Sequence, residues 1–374
     1  MFRQSMRNLY VCLLSCWLCA CGPSSVPEEV TPPSTETLTQ QDSQLAGWAA
    51  VRALLIQRSA AEGVQDLGLM VFDSNDNLVF QHMVGAFTPT QRVAVASASK
   101  MVSGLVLLEL IKRGQLSLDS TTGTVLGWTG PKASITLRHL LSFTSGMVRD
   151  HACTTMPTIT LATCVNTLST LAPVAAPGTR FDYGGTHLHV AARMAEVVTG
   201  KTWNTLFSDI LRAPLGQSTA VTYYSLPRQS LGTQNPLIAG GLRVTMSEYA
   251  DFLSLAFHKG QTPTLTIGTP ALFDAQAREP YPNVVIGNSP MAALGLPFHY
   301  GLTAWLECLT PATGCTRISS PGAFGFTPWL DRDSGYYAIL GMELNTTAGE
   351  GGIVDFSVTL ERDLAPLIQN ALSP

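Results

Sequence analysis

Charged residues are scarce in this chain, and their scarcity argues against two broad classes of protein. Only 13% of the 374 residues are Asp, Glu, Lys or Arg, the formal net charge is −4, and the 22 Lys and Arg form no cluster. A nucleic-acid interface needs a row of basic side chains facing phosphates, so we expect no nucleic-acid partner. Disorder over most of the chain is also excluded, because 45% of the residues are hydrophobic and can bury a core.

Residues 1–20 have the features of an export signal. Arg3 and Arg7 form a positive start. The apolar stretch from Leu9 to Leu18 is about ten residues long, which is too short to span a bilayer as a mature helix. We therefore expect this segment to be removed on export.

The end of the segment, residues 18–21 (LCAC), resembles the lipobox of bacterial lipoproteins. The resemblance implies cleavage before Cys21 and attachment of lipid to its thiol. We expect a cell-envelope protein whose membrane partner is reached through this anchor, facing the periplasm or the exterior. Gly22, in place of Asp, favours the outer membrane where the host has one. An ordinary secretory signal with clustered cysteines is the alternative.

Four cysteines remain after residues 1–20 and the lipidated Cys21 are set aside: Cys153, Cys164, Cys308 and Cys315. An even number in an oxidising compartment suggests disulfides. Pairing each cysteine with its neighbour along the chain is one of three connectivities, and the one that needs no distant contact. Free buried cysteines are the alternative, and the spacing does not suit zinc, so we expect no metal.

The remaining chain divides into a tether and one domain. Residues 21–44 are rich in Pro, Ser, Thr and Glu and predict a disordered tether. Residues 45–374 predict a single domain, which starts with an amphipathic helix from Leu45 to about Ala61. The apolar runs 67–72 and 78–80 flank turn-forming residues and predict a hairpin.

A buried helix is predicted over residues 93–112, and the middle of the chain, from about 115 to 260, should be mostly helical. Near the C-terminus the sequence predicts three strands, at residues 302–306, 324–330 and 336–344. A final helix is predicted from about Thr359 to Leu372. Strands at both ends of a helical middle predict an α+β fold, with one sheet built from both termini and an inserted helical lobe.

Ser97 and Lys100 form an S-x-x-K motif at the start of the buried helix. Residues three apart share a helix face, so the amine can reach the Ser97 hydroxyl. Burial lowers the pKa of a lysine, which lets its amine accept the serine proton and so produce a nucleophile. Alone the motif is weak, because a helix cap followed by a solvated lysine has the same spacing.

The surrounding chain resembles the superfamily of class C β-lactamases, D-alanyl-D-alanine peptidases and related esterases. S-x-x-K is one of its signatures. The other segments that carry the resemblance, in order, are 135–147 (ITLRHLLSFTSGM), 177–183 (PGTRFDY), 195–200 with 213–216 (APLG), 240–245 (GGLRVT) and 300–305 (YGLTAW). The resemblance covers about residues 45 to 372. It implies an antiparallel sheet flanked by helices, and serine chemistry without a cofactor.

Residue roles follow from the resemblance. It makes Ser97 the acylated nucleophile, with Lys100 as its proton acceptor or as the group that keeps Tyr183 reactive. Tyr183 would relay the proton and activate water. Which of the two is the primary base stays open, because they titrate as a coupled pair. The backbone N–H groups of Ser97 and Ala323 would form the oxyanion hole.

Two departures from the family pattern affect substrate recognition. Gly185 stands where the family has an asparagine that orients the substrate, and Ser320 stands where it has a cation that binds the substrate carboxylate. Gly322 keeps the family's glycine, beside which substrate would lie. Arg317 is a second candidate for the missing cation. We therefore expect an uncharged ester or a small amide as substrate rather than a β-lactam.

Three histidines remain to be placed. His187 and His189 diverge on a helix and have no evident third ligand, so we interpret them as surface or packing residues rather than a metal pair. His139 lies in a leucine-rich helix start and is interpreted as structural.

Three functions are compatible with this sequence. The first is an exported serine hydrolase that forms an acyl-enzyme from an ester or small amide. The second is a penicillin-recognising peptidase or β-lactamase, acting on a peptidoglycan-like substrate. The third is an envelope module that binds or senses without catalysis, which the two altered motifs would suit.

Overall fold

The computed structural model describes residues 35–344 and 352–373, so the predicted signal segment and Cys21 lie outside the described residues. Residues Ser43–Pro374 form one compact unit. The helices of the described part are α1 (Thr35–Ala61), α2 (Ser99–Lys112), α3 (Thr122–Leu126), α4 (Leu137–Leu141), α5 (Leu161–Thr170), α6 (Thr186–Thr199), α7 (Trp203–Phe207), α8 (Met246–Phe257), α9 (Pro270–Gln276), α10 (Pro290–Ala293) and α11 (Gly352–Leu372). No described helix is both long and apolar enough to cross a membrane.

The strands of the same part form three sheets. They are β1 (Leu67–Asp73), β2 (Leu78–Val84), β3 (Val93–Ala94), β4 (Arg180–Asp182), β5 (Thr222–Tyr223), β6 (Leu242–Val244), β7 (Val285–Asn288), β8 (His299–Tyr300), β9 (Trp305–Leu306), β10 (Arg317–Ser319), β11 (Thr327–Asp331) and β12 (Tyr336–Gly341). The seven-stranded sheet has the order β2-β1-β12-β11-β10-β9-β8, and each neighbouring pair is antiparallel. Strand β1 pairs with β12, which confirms the predicted sheet built from both ends.

Alternation along β1 gives the large sheet two buried faces. Leu69 and Val71 belong to the core beneath the terminal helices α1 and α11, whereas Met70 and Phe72 belong to the core that contains α2. Helices α1 and α11 approach closely at Gly47, where an added Cβ would lie 2.7 Å from the Cα of Ala371. The sheet is therefore covered on both sides, and α2 is buried behind it.

The helical middle is confirmed, because α3 to α8 all lie between β3 and β7. This lobe also holds two small sheets. One is antiparallel, in the order β3-β6-β5, and the other pairs β4 with β7 in parallel. The parallel pair was not expected from the sequence, and it places residues 285–288 beside the strand that leads to Tyr183.

Three predicted boundaries are wrong. Helix α1 begins at Thr35, so the end of the segment 21–44 is helical, and α11 begins at Gly352 rather than near Thr359. Residues 93–112 do not form one helix. Val93 and Ala94 pair with β6, and this pairing delays the helix until Ser99. The pairing of Val93 and Ala94 with a distant strand therefore overrides the helix-like pattern of the local sequence.

Both cysteine pairs that are neighbours along the chain are bridged. Cys153 is bonded to Cys164, which lies in α5, and Cys308 is bonded to Cys315. The first bridge closes a segment that contributes residues to the cleft described below.

Arg317 does not serve the candidate site, contrary to the second possibility raised above. Its guanidinium lies between the buried carboxylates of Glu307, at 3.0 Å, and Glu361 of α11. Burial and the neighbouring Glu307 raise the pKa of Glu361 to about 8, and the Arg317 cation opposes this, so ionisation of the two buried acids depends on Arg317. Arg317 therefore holds α11 to the sheet instead of binding substrate.

Replacing Arg317 with Leu should destabilise the fold, because it leaves two acids buried without their cation. We expect the free energy of unfolding to fall by ~3 kcal/mol in urea denaturation near neutral pH. Arg52→Leu, at an exposed position of α1, is the control and should change the value by less than about 0.5 kcal/mol. An unchanged denaturation midpoint for Arg317→Leu would contradict the assignment.

Candidate active site

Ser97 lies in a turn that the rest of the fold holds rigidly. It occupies the middle of a short 3₁₀ turn, residues 96–98, directly before α2. Ala96 has a φ of 45°, a conformation that residues with side chains rarely adopt. Ser99 Oγ accepts the Leu242 N–H at 3.1 Å, which ties the start of α2 to β6. The backbone thus presents the Ser97 side chain to the cleft lined by residues of the lobe and the sheet.

Lys100 is buried directly beside Ser97. Its side-chain nitrogen, Nζ, lies 2.8 Å from Ser97 Oγ and donates to the carbonyl oxygen of Ala239, also at 2.8 Å. Burial lowers the pKa of Lys100 to about 7, while the Asp150 carboxylate acts in the opposite direction. At neutral pH a large fraction of Lys100 is therefore the free amine, which can accept the Ser97 proton.

Tyr183 brings a phenol to the same place from a distant stretch of chain. It follows β4, and its ring stacks on Trp305 at 4.9 Å and meets the edge of Phe143 at 5.3 Å. The Lys100 Nζ lies 4.7 Å from the centre of the Tyr183 ring. Burial raises the pKa of Tyr183 to about 12, with the neighbouring Ser97 hydroxyl opposing this effect.

The opposite pKa shifts of Lys100 and Tyr183 suggest a division of roles. Tyr183 holds its proton more tightly than Lys100 does, so the resting pair consists of a neutral phenol and an amine that titrates near neutrality. A neutral amine beside Ser97 is suited to accept a proton, and a phenol that keeps its proton is suited to donate one. This arrangement can perform general base and general acid steps without a metal.

Ala323 is the residue predicted to complete an oxyanion hole with Ser97. Both residues line the cleft. Within the described chain, the Ala323 N–H donates no hydrogen bond to another backbone group, so it remains available to a ligand. Backbone donors need no particular side chain, which is why substitutions in the neighbouring residues leave this feature in place.

Ser320 and Gly322, predicted to contact substrate, are not among the described residues that line the cleft. Ser320 is buried, and its hydroxyl donates to the backbone carbonyl of Ser97 at 3.0 Å. At Gly322 an added Cβ would lie 2.2 Å from the carbonyl oxygen of Val95, so the glycine permits close approach of two backbone segments, and no substrate need lie there. Both residues contact the backbone next to or within the turn that carries Ser97.

Gly185 lies where the sequence predicts, on the wall of the cleft at the start of α6. It offers no side chain, and its N–H donates to Asp150 Oδ1 at 3.1 Å. Asp150 thereby occupies the rim of the cleft and exerts its charge on Lys100.

The candidate site opens into a cleft of about 890 Å³. Apolar atoms make up most of its accessible wall, although twelve of its 28 lining residues are polar or charged. The apolar lining residues are Leu226, Pro227, Leu237, Pro290, Met291, Trp305, Pro321, Phe324 and Val354. Such a cleft suits a small organic molecule with limited charge.

The histidines prove to be internal packing residues. The Nε2 of His187 lies 2.9 Å from the carbonyl oxygen of Asp182, and its Nδ1 lies 2.8 Å from Ser145 Oγ. Because a carbonyl only accepts, Nε2 carries the proton and Ser145 donates to Nδ1. Burial lowers the pKa of His187 and of His189 to about 4, so both stay neutral. His139 caps α4. Among the described residues, no group of three or more His, Cys, Asp or Glu could hold a metal.

Sequence analysis missed three contributors to the site. Ala239 acts through its backbone carbonyl, Asp150 through long-range charge, and Trp305 by stacking on Tyr183. The family-like segment 240–245 follows Ala239 directly, and the segment 300–305 includes Trp305. Their sequences do not show which atom contacts Lys100 or Tyr183.

The family model described as Beta-lactamase matches residues 51–350 of this chain. Among curated proteins, penicillin-binding protein 4 from Amycolatopsis lactamdurans is 30% identical over 141 residues. That alignment spans 36% of this chain and 36% of the relative, so only about a third of the relative's length is matched.

Solved structures match far more of the chain. A candidate beta-lactamase from Bacteroides dorei is 29% identical, with a TM-score of 0.73, and the match covers 85% of this chain and 98% of that one. EstCE1, a hydrolase with promiscuous acyltransferase activity, is 16% identical with a TM-score of 0.65 over 86% of this chain and 99% of its own. Because the identity to EstCE1 is only 16%, this similarity shows a shared fold alone.

The lowered pKa of Lys100 predicts how Ser97 reactivity depends on pH. Phosphonylation of Ser97 by a fluorophosphonate probe, followed by intact-mass spectrometry, should accelerate as pH rises through about 7, because the amine loses its proton there. Below that pH the rate should change about tenfold per unit, and above it the rate should level off. Lys100→Arg should lose this dependence, since arginine stays protonated. A flat profile for the parent would contradict the assignment of Lys100 as base.

Proposed function

Because the chain belongs to the beta-lactamase family of serine hydrolases, we propose that it hydrolyses an uncharged ester or a small amide through an acyl-enzyme on Ser97. The observation that carries this proposal is the 2.8 Å contact between Lys100 Nζ and Ser97 Oγ at the base of a largely apolar cleft. The contact supplies an activated nucleophile, and the cleft wall supplies a binding surface for uncharged groups.

The acylation step uses groups already in place. Ser97 Oγ attacks the substrate carbonyl while Lys100 takes its proton, and the resulting oxyanion is held by the N–H groups of Ser97 and Ala323. Each such donor is worth roughly 3–4 kcal/mol in the transition state. When the tetrahedral intermediate collapses, the bond to the leaving group breaks and Tyr183 delivers the departing proton, which Lys100 can replace.

Deacylation repeats the same steps with water. Lys100 takes a proton from a water molecule, the water oxygen attacks the acyl carbon, and the bond to Ser97 Oγ breaks as Tyr183 delivers a proton to the serine, which Lys100 then replaces. The product is a carboxylic acid, and the enzyme regains its starting state.

The charges around the cleft favour uncharged substrates over carboxylates. Both arginines of the cleft wall already lie near acids, Arg149 at 3.4 Å from Asp150 and Arg228 at 3.7 Å from Glu343. Ser320 cannot act as a carboxylate-binding cation, and its hydroxyl is engaged by Ser97 O. A substrate carboxylate would have to displace an existing partner, which lowers affinity.

The alternative function is that of a penicillin-recognising peptidase or β-lactamase. The likeness to penicillin-binding protein 4 and to a candidate beta-lactamase supports it. A non-catalytic module is disfavoured by the close contact of Ser97 with Lys100.

Ser97→Ala should abolish fluorophosphonate labelling and hydrolysis of p-nitrophenyl butyrate, because no hydroxyl remains to attack. Ser134→Ala, at an exposed position, is the matched control and should retain both activities. A Ser97→Ala variant that keeps parental turnover would refute the proposal. Rapid turnover of a chromogenic cephalosporin by the parent, with little ester hydrolysis, would favour the alternative function.

We also propose that the enzyme works in the cell envelope, attached to a membrane through lipid on Cys21. The motif at residues 18–21 and the two disulfides, which persist in oxidising compartments, support this location.

Expression of the full chain in a bacterial host with an alkyne-tagged fatty acid tests the anchor. The parent should incorporate the tag and sediment with membranes, whereas Cys21→Ser should do neither, because the thiol that carries the lipid is gone. Cys19→Ser, two residues earlier, is the control and should still be tagged. Incorporation that survives Cys21→Ser would exclude this site.

A further inference from the structure

Most polar side chains of the cleft wall already have partners within the protein. Outside the aromatic rings and the reacting trio of Ser97, Lys100 and Tyr183, hydrogen bonds or ion pairs engage Arg149, Asp150, His151, Thr154, Thr155, Ser225 and Arg228. In the described part of the chain, this leaves the carboxamides of Gln229 and Asn288, whose side chains make no hydrogen bond there. A carboxamide that faces a cleft with its donors and acceptor unused can bind a ligand.

Asn288 is the better placed of the two. It ends β7 and lies opposite Asp182 in the parallel pair, and its backbone carbonyl accepts the Tyr183 N–H at 2.9 Å. Its backbone is therefore fixed to that of the tyrosine that donates the proton. Gln229, in contrast, is exposed at the end of a short turn, and no comparable contact holds it.

The chain after Asn288 is also fixed. The Ser289 hydroxyl accepts the Ala292 N–H at 3.2 Å and so begins α10, which packs Met291 into the core. A polar side chain held on both sides by ordered backbone loses little entropy on binding. Asn288 is thus built as a recognition group, on a segment that no motif in the sequence distinguished.

We propose that Asn288 determines specificity by hydrogen bonding to a carboxamide of the substrate close to the scissile bond. A side-chain amide offers both a donor and an acceptor, and a substrate amide is the uncharged group that satisfies both. Across the site Gly185 has no side chain that could do the same. The preferred substrates then carry an amide near the reacting carbonyl, on the acyl or the leaving-group side, in place of plain alkyl chains. This inference rests on the proposed function.

The test compares the parent and Asn288→Ala on matched pairs of esters. N-acetylglycine p-nitrophenyl ester against p-nitrophenyl butyrate probes the acyl side, and the glycolamide ester of butyric acid against propyl butyrate probes the leaving-group side. For the amide-bearing member of one pair, kcat/KM should fall roughly tenfold, the effect expected of one lost neutral hydrogen bond. The plain esters should change less than about twofold, and the thermal midpoint should be unaltered.

Asn166→Ala, at an exposed position of α5 outside the cleft, is the matched control and should leave all four esters unaffected, while Asn288→Gln should recover part of the lost selectivity. An equal loss on amide-bearing and plain esters, or no loss on any, would overturn the assignment of Asn288. Failure of the parent to hydrolyse p-nitrophenyl butyrate, or labelling that persists in Ser97→Ala, would instead overturn the proposed function.

Discussion

The site depends on one constraint, which is that an amine is buried next to a hydroxyl and that none of the described acids is in contact with it. Lys100 is only 4% exposed, and its two hydrogen-bond partners are the hydroxyl of Ser97 and the backbone carbonyl of Ala239. If a carboxylate replaced either hydrogen-bond partner, the Lys100 amine would stay protonated and could not take the proton of Ser97. The Asp150 carboxylate on the cleft wall raises the pKa of Lys100, but burial outweighs it and keeps the pKa at about 7.

The fold maintains this constraint through backbone contacts around residue 97. Ser320 binds the carbonyl of Ser97, and Gly322 allows the neighbouring loop to reach Val95. Substitution at 320 therefore exchanges a ligand-binding role for an architectural one. The hydroxyl at this position supports the Ser97 turn and carries no charge, which is consistent with the proposed uncharged substrate.

Much of the architecture was predictable from local pattern. The hairpin of β1 and β2, the helical middle and the strands near the C-terminus each follow from apolar periodicity and turn residues. The boundaries that failed lie where distant segments meet. Val93 and Ala94 become a strand because β6 pairs with them, and the parallel contact of β4 with β7 joins segments about 100 residues apart, which periodicity cannot reveal.

The sequence by itself determined the residue types and spacing of the chemistry: Ser97 and Lys100 one turn apart, and Tyr183 after its Pro-Gly approach. It also determined the family. Tertiary structure alone decided which atoms matter around them, because burial, backbone carbonyls and long-range charge depend on elements far apart in the chain. Four features follow from the tertiary structure: the lowered pKa of Lys100, the pairing of Arg317 with two acids, the structural role of Ser320 and the position of Asn288 beside Tyr183.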